Sequence, residues 1–254
     1  MELNYKEFGQ GEPIIILHGL FGTLDNWQTI GKQLAENFTV FLIDQRNHGK
    51  SPHSEAFSYP ILADDLAEFM DEHFISSAHI LGHSMGGKTA MYFAMKYPEK
   101  VDKLIVADIA PVQYEEGHKA IFDALFSVDL KNVANRNEID EQLKKQIPQF
   151  GVRQFLMKGI TRNEDRELSW KFNLKDLWEN YSNILDTFKS EDEFDHETLF
   201  IKGEKSDYIL EEYHTTILKY FPKAKFVSIE NAGHWLHAEN PKKFFELSMV
   251  FLNQ

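Results

Sequence analysis

The 254-residue chain has no cysteine, which excludes disulfides, zinc ribbons, iron–sulfur ligation and a thiol nucleophile. Basic residues are scarce as well. Twenty-seven Lys and Arg face 40 Asp and Glu, for a net charge of −13, and such a chain is a poor general partner for a nucleic-acid backbone or an anionic membrane. No apolar run approaches the roughly 18 residues that span a bilayer, and no charged or Pro/Gly-rich tract is long enough to indicate disorder. The opening Met1-Glu2-Leu3-Asn4-Tyr5-Lys6 has an acid where a signal peptide carries basic residues. These absences predict a soluble cytoplasmic protein with no nucleic-acid partner and no membrane span; they leave the oligomeric state open.

What remains is an ordinary globular composition, 43% hydrophobic and 26% charged, long enough for one large α/β domain or a core with an insert. Short apolar runs recur at Ile14 to Leu17, Val40 to Ile43, Ile80 to Leu81, Leu104 to Ala107, Leu199 to Ile201 and Phe226 to Ile229. Each is too short for a buried helix and rich in β-formers. Between them lie helical patterns at Trp27 to Ala35, Pro60 to Phe74, Met85 to Lys96 and Pro241 to Leu252, the last behind an Asn240 cap. Strand alternating with helix predicts a mostly parallel sheet covered by helices on both faces.

The alternation stops between Asp108 and Thr198, where charged helical patterns such as Glu138 to Ile147 and Leu174 to Ile184 replace strands. The expectation is a core of residues 1–111 and 191–254 with a helical cap of residues 112–190. The cap's aromatics Phe122, Phe126 and Trp178 need an apolar surface to cover. Together with Phe21 and Trp235 they are the candidates for lining a substrate pocket.

The strongest chemical signal is Gly82-His83-Ser84-Met85-Gly86, a G-x-S-x-G directly after one strand and directly before a helix. Such a turn holds its serine in a strained backbone with the hydroxyl exposed, and glycines on either side let the chain pass closely. Ser84 then stands at a helix N-terminus, whose field favours a developing oxyanion. His18-Gly19-Leu20-Phe21-Gly22 ends the first parallel strand. A loop of this kind offers a backbone N–H to a tetrahedral intermediate, so Leu20 and Met85 are the candidate oxyanion donors. His18 itself reads as a structural histidine. His234, in Asn231-Ala232-Gly233-His234-Trp235, follows the last strand and is the candidate base. His237, three residues on, suggests a metal pair, but no acid cluster or helical H-E-x-x-H supports one. The acid has two candidates at the same sheet edge: Asp108, closing an apolar strand, and Asp207, in a polar loop. Chain order serine, acid, histidine is that of α/β-hydrolases.

With these elements in view the chain resembles the α/β-hydrolase superfamily, and within it the YbfF-like group of small bacterial esterases and their mitochondrial relatives. The matching pieces are HGLFGTLDNW at 18–27, DQRNHGKS at 44–51, GHSMGGK at 82–88, DIAP at 108–111, WKFN at 170–173, LWENY at 177–181 and NAGHW at 231–235. RNHG, Lys88 and WKFN are the narrower marks. The resemblance implies a cap inserted after the sixth strand, a serine carboxylesterase acting through an acyl-enzyme, and no cofactor or metal. It also implies that Asp108 is the acid. The superfamily's usual G-x-x-D spacing lands on Ser206, which becomes a supporting group, with Asp207 one residue late. The substrate is then a small acyl ester. Rival readings are an acyl-CoA thioesterase and, from another class, a ligand-binding protein that kept the fold.

Overall fold

The computed structural model describes residues 1–133, 135–162, 166–186 and 192–254. Five strands precede the insert: β1 (Tyr5–Phe8), β2 (Glu12–Leu17), β3 (Phe38–Ile43), β4 (Ala78–His83) and β5 (Val101–Ala107). A short antiparallel hairpin, β6 (Ile160–Arg162) and β7 (Leu168–Trp170), lies inside it, and β8 (Thr198–Gly203) and β9 (Ala224–Ile229) follow. The main sheet has seven strands in the order β1-β3-β2-β4-β5-β8-β9, all parallel except the edge strand β1.

Period-two alternation sorts the strand residues onto two buried faces. Ile15, Leu17, Ile80, Leu104, Val106 and Phe200 pack on one side, against α2 (Tyr59–Glu72) and α3 (Met85–Lys96). Ile14, Ile16, Leu42, Leu81, Ile105 and Ile201 pack on the other. There they meet α1 (Gln28–Leu34) and the C-terminal helix Pro241–Leu252. The Asn240 side chain caps that last helix by accepting from Lys243 N–H at 3.2 Å.

The insert carries α4 (Lys119–Ser127), α5 (Arg136–Lys144), α6 (Phe150–Lys158), α7 (Leu174–Glu179) and α8 (Tyr181–Leu185). Its apolar residues form a cluster with Leu20, Phe21, Phe57, Tyr59, Leu62 and Met85 of the core. The insert therefore covers the loops at the carboxyl edge of the sheet. Its expected end at residue 190 lies outside the described residues.

Several expectations change. The insert follows the fifth strand in chain order, not the sixth. It contains the β6–β7 hairpin, whose three-residue strands are too short to leave a periodic signal. The helix expected over Leu174 to Ile184 is two helices meeting at Asn180, whose side chain donates to Asp176 O and Glu55 O, both at 2.9 Å. The helix expected over Glu138 to Ile147 starts earlier, at Arg136, where the Asn135 side chain caps it. Strand β1 and the helix α9 (His214–Tyr220) were not legible, since one is mostly exposed and the other buries only Ile217 and Tyr220.

Candidate active site

Strand register brings the reacting side chains together. His83 pairs with Ala107 across β4–β5, and Ala107 with Ile201 across β5–β8. One residue further along, Ser84 N–H donates to Ala107 O at 3.0 Å and Asp108 N–H to Ile201 O at 2.8 Å. Ser84 and Asp108 thus leave neighbouring strands at one edge, and the loop after β9 carries His234 to the same place.

Ser84 has φ +54° and ψ −120°, a left-handed backbone that its surroundings must hold. A β-carbon on Gly82 would meet Gly86 O at 2.2 Å, and one on Gly86 would meet Leu17 O at 2.4 Å. Only glycine fits these two positions, which is the steric reason for the spacing. Ser84 Oγ lies 3.1 Å from His234 Nε2, and His234 Nδ1 lies 2.8 Å from Asp108 Oδ2. Nδ1–H donates to the carboxylate, leaving Nε2 free to accept the serine proton.

Asp108 is fully buried and also left-handed, at φ +52°. Besides His234, its carboxylate accepts from Gly203 N–H at 3.0 Å and from the Ser206 hydroxyl. Asp207 is exposed and turned to solvent; it takes no part in this constellation. The His234 loop is held from below. Glu239 accepts from Gly233 N–H at 2.7 Å and Trp235 N–H at 3.3 Å, and Glu204 accepts from Asn231 N–H at 2.8 Å.

Two aromatic neighbours of His234, Tyr208 and His83, were not singled out beforehand, and His237 was weighed only as a metal ligand. The Tyr208 ring stacks on its imidazole at 4.1 Å. His83 Nε2–H donates to His234 O at 2.8 Å. Behind His83 sits His237, stacked on Trp27 at 4.1 Å. Burial pushes His83 well below the usual histidine range and His237 down to about 3. Among the described residues no three His, Asp or Glu side chains are grouped as metal ligands. No helix of the described residues is long and apolar enough to cross a membrane.

Neither Leu20 N–H nor Met85 N–H has a hydrogen-bond partner among the described residues. His18 is a buried structural group: Nδ1–H donates to Gly19 O at 2.9 Å, and Nε2 accepts from Gln45 N–H at 3.0 Å. Over the serine lies a cavity of about 210 Å³. It is lined by Leu20, Phe21, Tyr208 and Trp235 from the core and by His118, Ile121, Val152, Phe155 and Leu156 from the insert. The pocket expectations are corrected in part. Phe122 is buried behind Phe21, with ring centroids 5.0 Å apart, and Trp178 stacks on Tyr181, so neither reaches the cavity. Phe126 is 50% exposed, because α4 turns Phe122 and Leu125 inward and leaves the next position to solvent.

A seven-stranded, mostly parallel sheet with a serine elbow, a buried acid and a late-loop histidine defines a class, and a family model described as alpha/beta hydrolase fold matches residues 12–241. The chain belongs to the α/β-hydrolase family. Among curated relatives it is 37% identical to Esterase YbfF of Escherichia coli K12, over 95% of this chain and 93% of that one. It is 40% identical to a putative esterase/lipase of Haemophilus influenzae Rd, over 95% and 83%. Among solved structures it is similar to a marine microorganism esterase, with a TM-score of 0.96 and 46% identity over 98% and 99% of the two chains.

Proposed function

We propose that the chain is a serine carboxylesterase. Ser84 Oγ attacks the ester carbonyl while His234 Nε2 takes its proton. His234 then returns the proton to the leaving alcohol, and water releases the acyl group by the same route in reverse. Asp108 holds the imidazole in the tautomer that leaves Nε2 bare and stabilises the imidazolium that forms. Leu20 N–H and Met85 N–H receive the oxyanion. The observation that carries this reading is the continuous relay from Ser84 Oγ to His234 to the buried Asp108, with spacings of 3.1 and 2.8 Å.

The insert acts as a cap whose α4 and α6 faces meet the acyl group. The cavity of about 210 Å³ lies below the roughly 300–1,000 Å³ of typical small-molecule sites, which favours a short acyl chain. Among the described residues the lining includes no Lys or Arg, which supports an uncharged alcohol as leaving group over the phosphorylated thiol of an acyl-CoA. A fluorophosphonate probe separates this reading from that of a ligand-binding protein, since an unactivated serine stays unlabelled.

Ser84→Ala should abolish labelling and p-nitrophenyl butyrate hydrolysis, with a loss on the order of a millionfold in kcat. Its circular dichroism and melting should match the parent. Turnover by Ser84→Ala within about tenfold of the parent, a factor worth only about 1.4 kcal/mol, would remove the central claim.

A further inference from the structure

The segment Asp44–Ser51 supplies none of the reacting groups, yet Asp44, Gln45, Arg46, Asn47, His48 and Ser51 are all buried. Buried polar side chains are retained where they make hydrogen bonds, and several of these bonds go to the oxyanion loop. Gln45 holds His18 from two sides, through N–H to Nε2 at 3.0 Å and through its amide nitrogen to His18 O at 2.7 Å. Asp44 Oδ1 accepts from Leu24 N–H at 2.8 Å. His48 reaches the middle of the loop, where its Nε2 accepts from Phe21 N–H at 3.3 Å. Its other nitrogen donates to Arg46 O at 2.9 Å, and this sets the tautomer.

Phe21 needs such a partner. Residues 19–22 form a tight turn closed by Gly22 N–H to Gly19 O at 3.0 Å. Phe21, its third residue, has φ +61°, a conformation that turns of this shape ordinarily give to glycine. Glycine would remove the strain but also the ring, which lines the cavity and packs on Phe122 and Phe172 of the insert at 5.0 and 5.1 Å. Leu20 is the second residue of the same turn. Letting Phe21 leave the left-handed region would re-aim the peptide between them, open the turn closed by Gly22 N–H to Gly19 O, and so shift the Gly19–Leu20 peptide that carries the Leu20 N–H.

We propose that His48 is a positioning residue for the oxyanion hole: its bare Nε2 holds the Phe21 amide, and so keeps the strained turn that presents Leu20 N–H at the cavity. This rests on the esterase reading for its effect on rate but not for its effect on the loop. Burial, His18 at 5.0 Å between ring centroids and His53 nearby all keep His48 uncharged and therefore an acceptor. The same segment docks the insert, since Asn173 N–H donates to Asn47 O at 2.8 Å and His48 bridges Phe172. The oxyanion loop and the cap thus share one support.

The test compares His48→Ala with His48→Gln, whose side-chain oxygen can take the place of Nε2. Rates are counted per serine titrated by a fluorophosphonate. His48→Ala should lower kcat roughly tenfold to a hundredfold, less than deletion of an oxyanion donor, with KM within about threefold. It should weaken inhibition by a trifluoromethyl ketone, which forms an oxyanion on the serine, by a similar factor. His48→Gln should stay within about threefold of the parent. Amide hydrogen exchange over residues 19–22 reads the positioning without turnover, and should be about tenfold faster in His48→Ala and unchanged in His48→Gln. Parent-like exchange and kcat in His48→Ala, or a Gln variant as impaired as Ala, overturns the proposal. An inactive, unlabelled parent overturns the esterase reading instead, and the exchange measurement still decides the role of His48.

Discussion

At the scale of single residues, the contest between Asp108 and Asp207 shows what a sequence can carry. Asp108 closes an apolar strand, and a carboxylate there must find donors; the structure gives it three, from Gly203, Ser206 and His234. The spacing that landed on Ser206 was informative for the same reason, because the hydroxyl at that position reaches the Asp108 carboxylate across 98 residues of sequence. Asp207, one residue on, faces solvent. Asp108→Asn should therefore lower kcat about ten-thousandfold by favouring the wrong imidazole tautomer. Asp207→Asn should stay within about threefold, and Ser206→Ala should fall between them. Steady-state kinetics on the three variants decides, and a more damaging Asp207→Asn would show the wrong carboxylate has been chosen. Tyr208, stacked on His234, and Glu239, bonded beneath its loop, had no such local signature. Their contacts depend on how two loops fold over one another, which neither hydrophobic period nor motif spacing encodes.

At the scale of elements, Met85–Lys96 and Pro241–Leu252 were legible to their end residues, the first from the serine motif ahead of it, the second from its Asn240 cap, and both from their apolar period. The insert was legible only as an interruption. Which face of α4 turns inward depends on what lies beneath it, so Ile121 meets the cavity while Phe126 does not. One residue that helps to fasten the insert also lies outside it. Lys88, one turn after the nucleophile on α3, is buried, and its ammonium donates to Val112 O at 2.8 Å, Leu185 O at 3.1 Å and Asp186 O at 2.5 Å. Tyr114 N–H, at 3.1 Å from Leu185 O, ties the entering chain to the leaving one. Burial lowers Lys88 to about 7, against the pull of Asp186. Lys88→Met keeps the stem but leaves carbonyls at both ends of the insert without this donor, at about 1–3 kcal/mol for each buried group left unsatisfied. Limited proteolysis should then cut within residues 112–186 at least tenfold faster than in the parent, before the core is attacked. Equal cleavage rates would mean that the apolar cluster and the other polar ties, among them Tyr59 Oη–H to Ile184 O at 2.6 Å and Asn173 N–H to Asn47 O at 2.8 Å, hold the insert down without Lys88.

At the scale of the whole molecule, the acidic balance was plain in the composition, but the state of the histidines was not, since a histidine in a sequence carries no mark of burial. His18, His48, His79, His83, His118 and His237 are each held below the usual range with burial as the largest cause. For His118 the value is about 4 and for His237 about 3. In an unfolded chain these groups take up protons near pH 6.5. Between that pH and the depressed folded values the unfolded state binds more protons than the native one, so stability falls as pH falls through this window. Above pH 6.5 this contribution is complete and flat. His237 offers the cleanest test, because it stacks on Trp27 and packs against Phe244, and its Nδ1 has no hydrogen-bond partner. His237→Phe preserves a ring in that stack while deleting the titration. Its stability relative to the parent, from urea unfolding, should be more favourable at pH 5 than at pH 7.5 by about 2 kcal/mol. The same difference at both pH values would mean that His237 is protonated in the folded state, and that burial behind the active site does not keep it neutral.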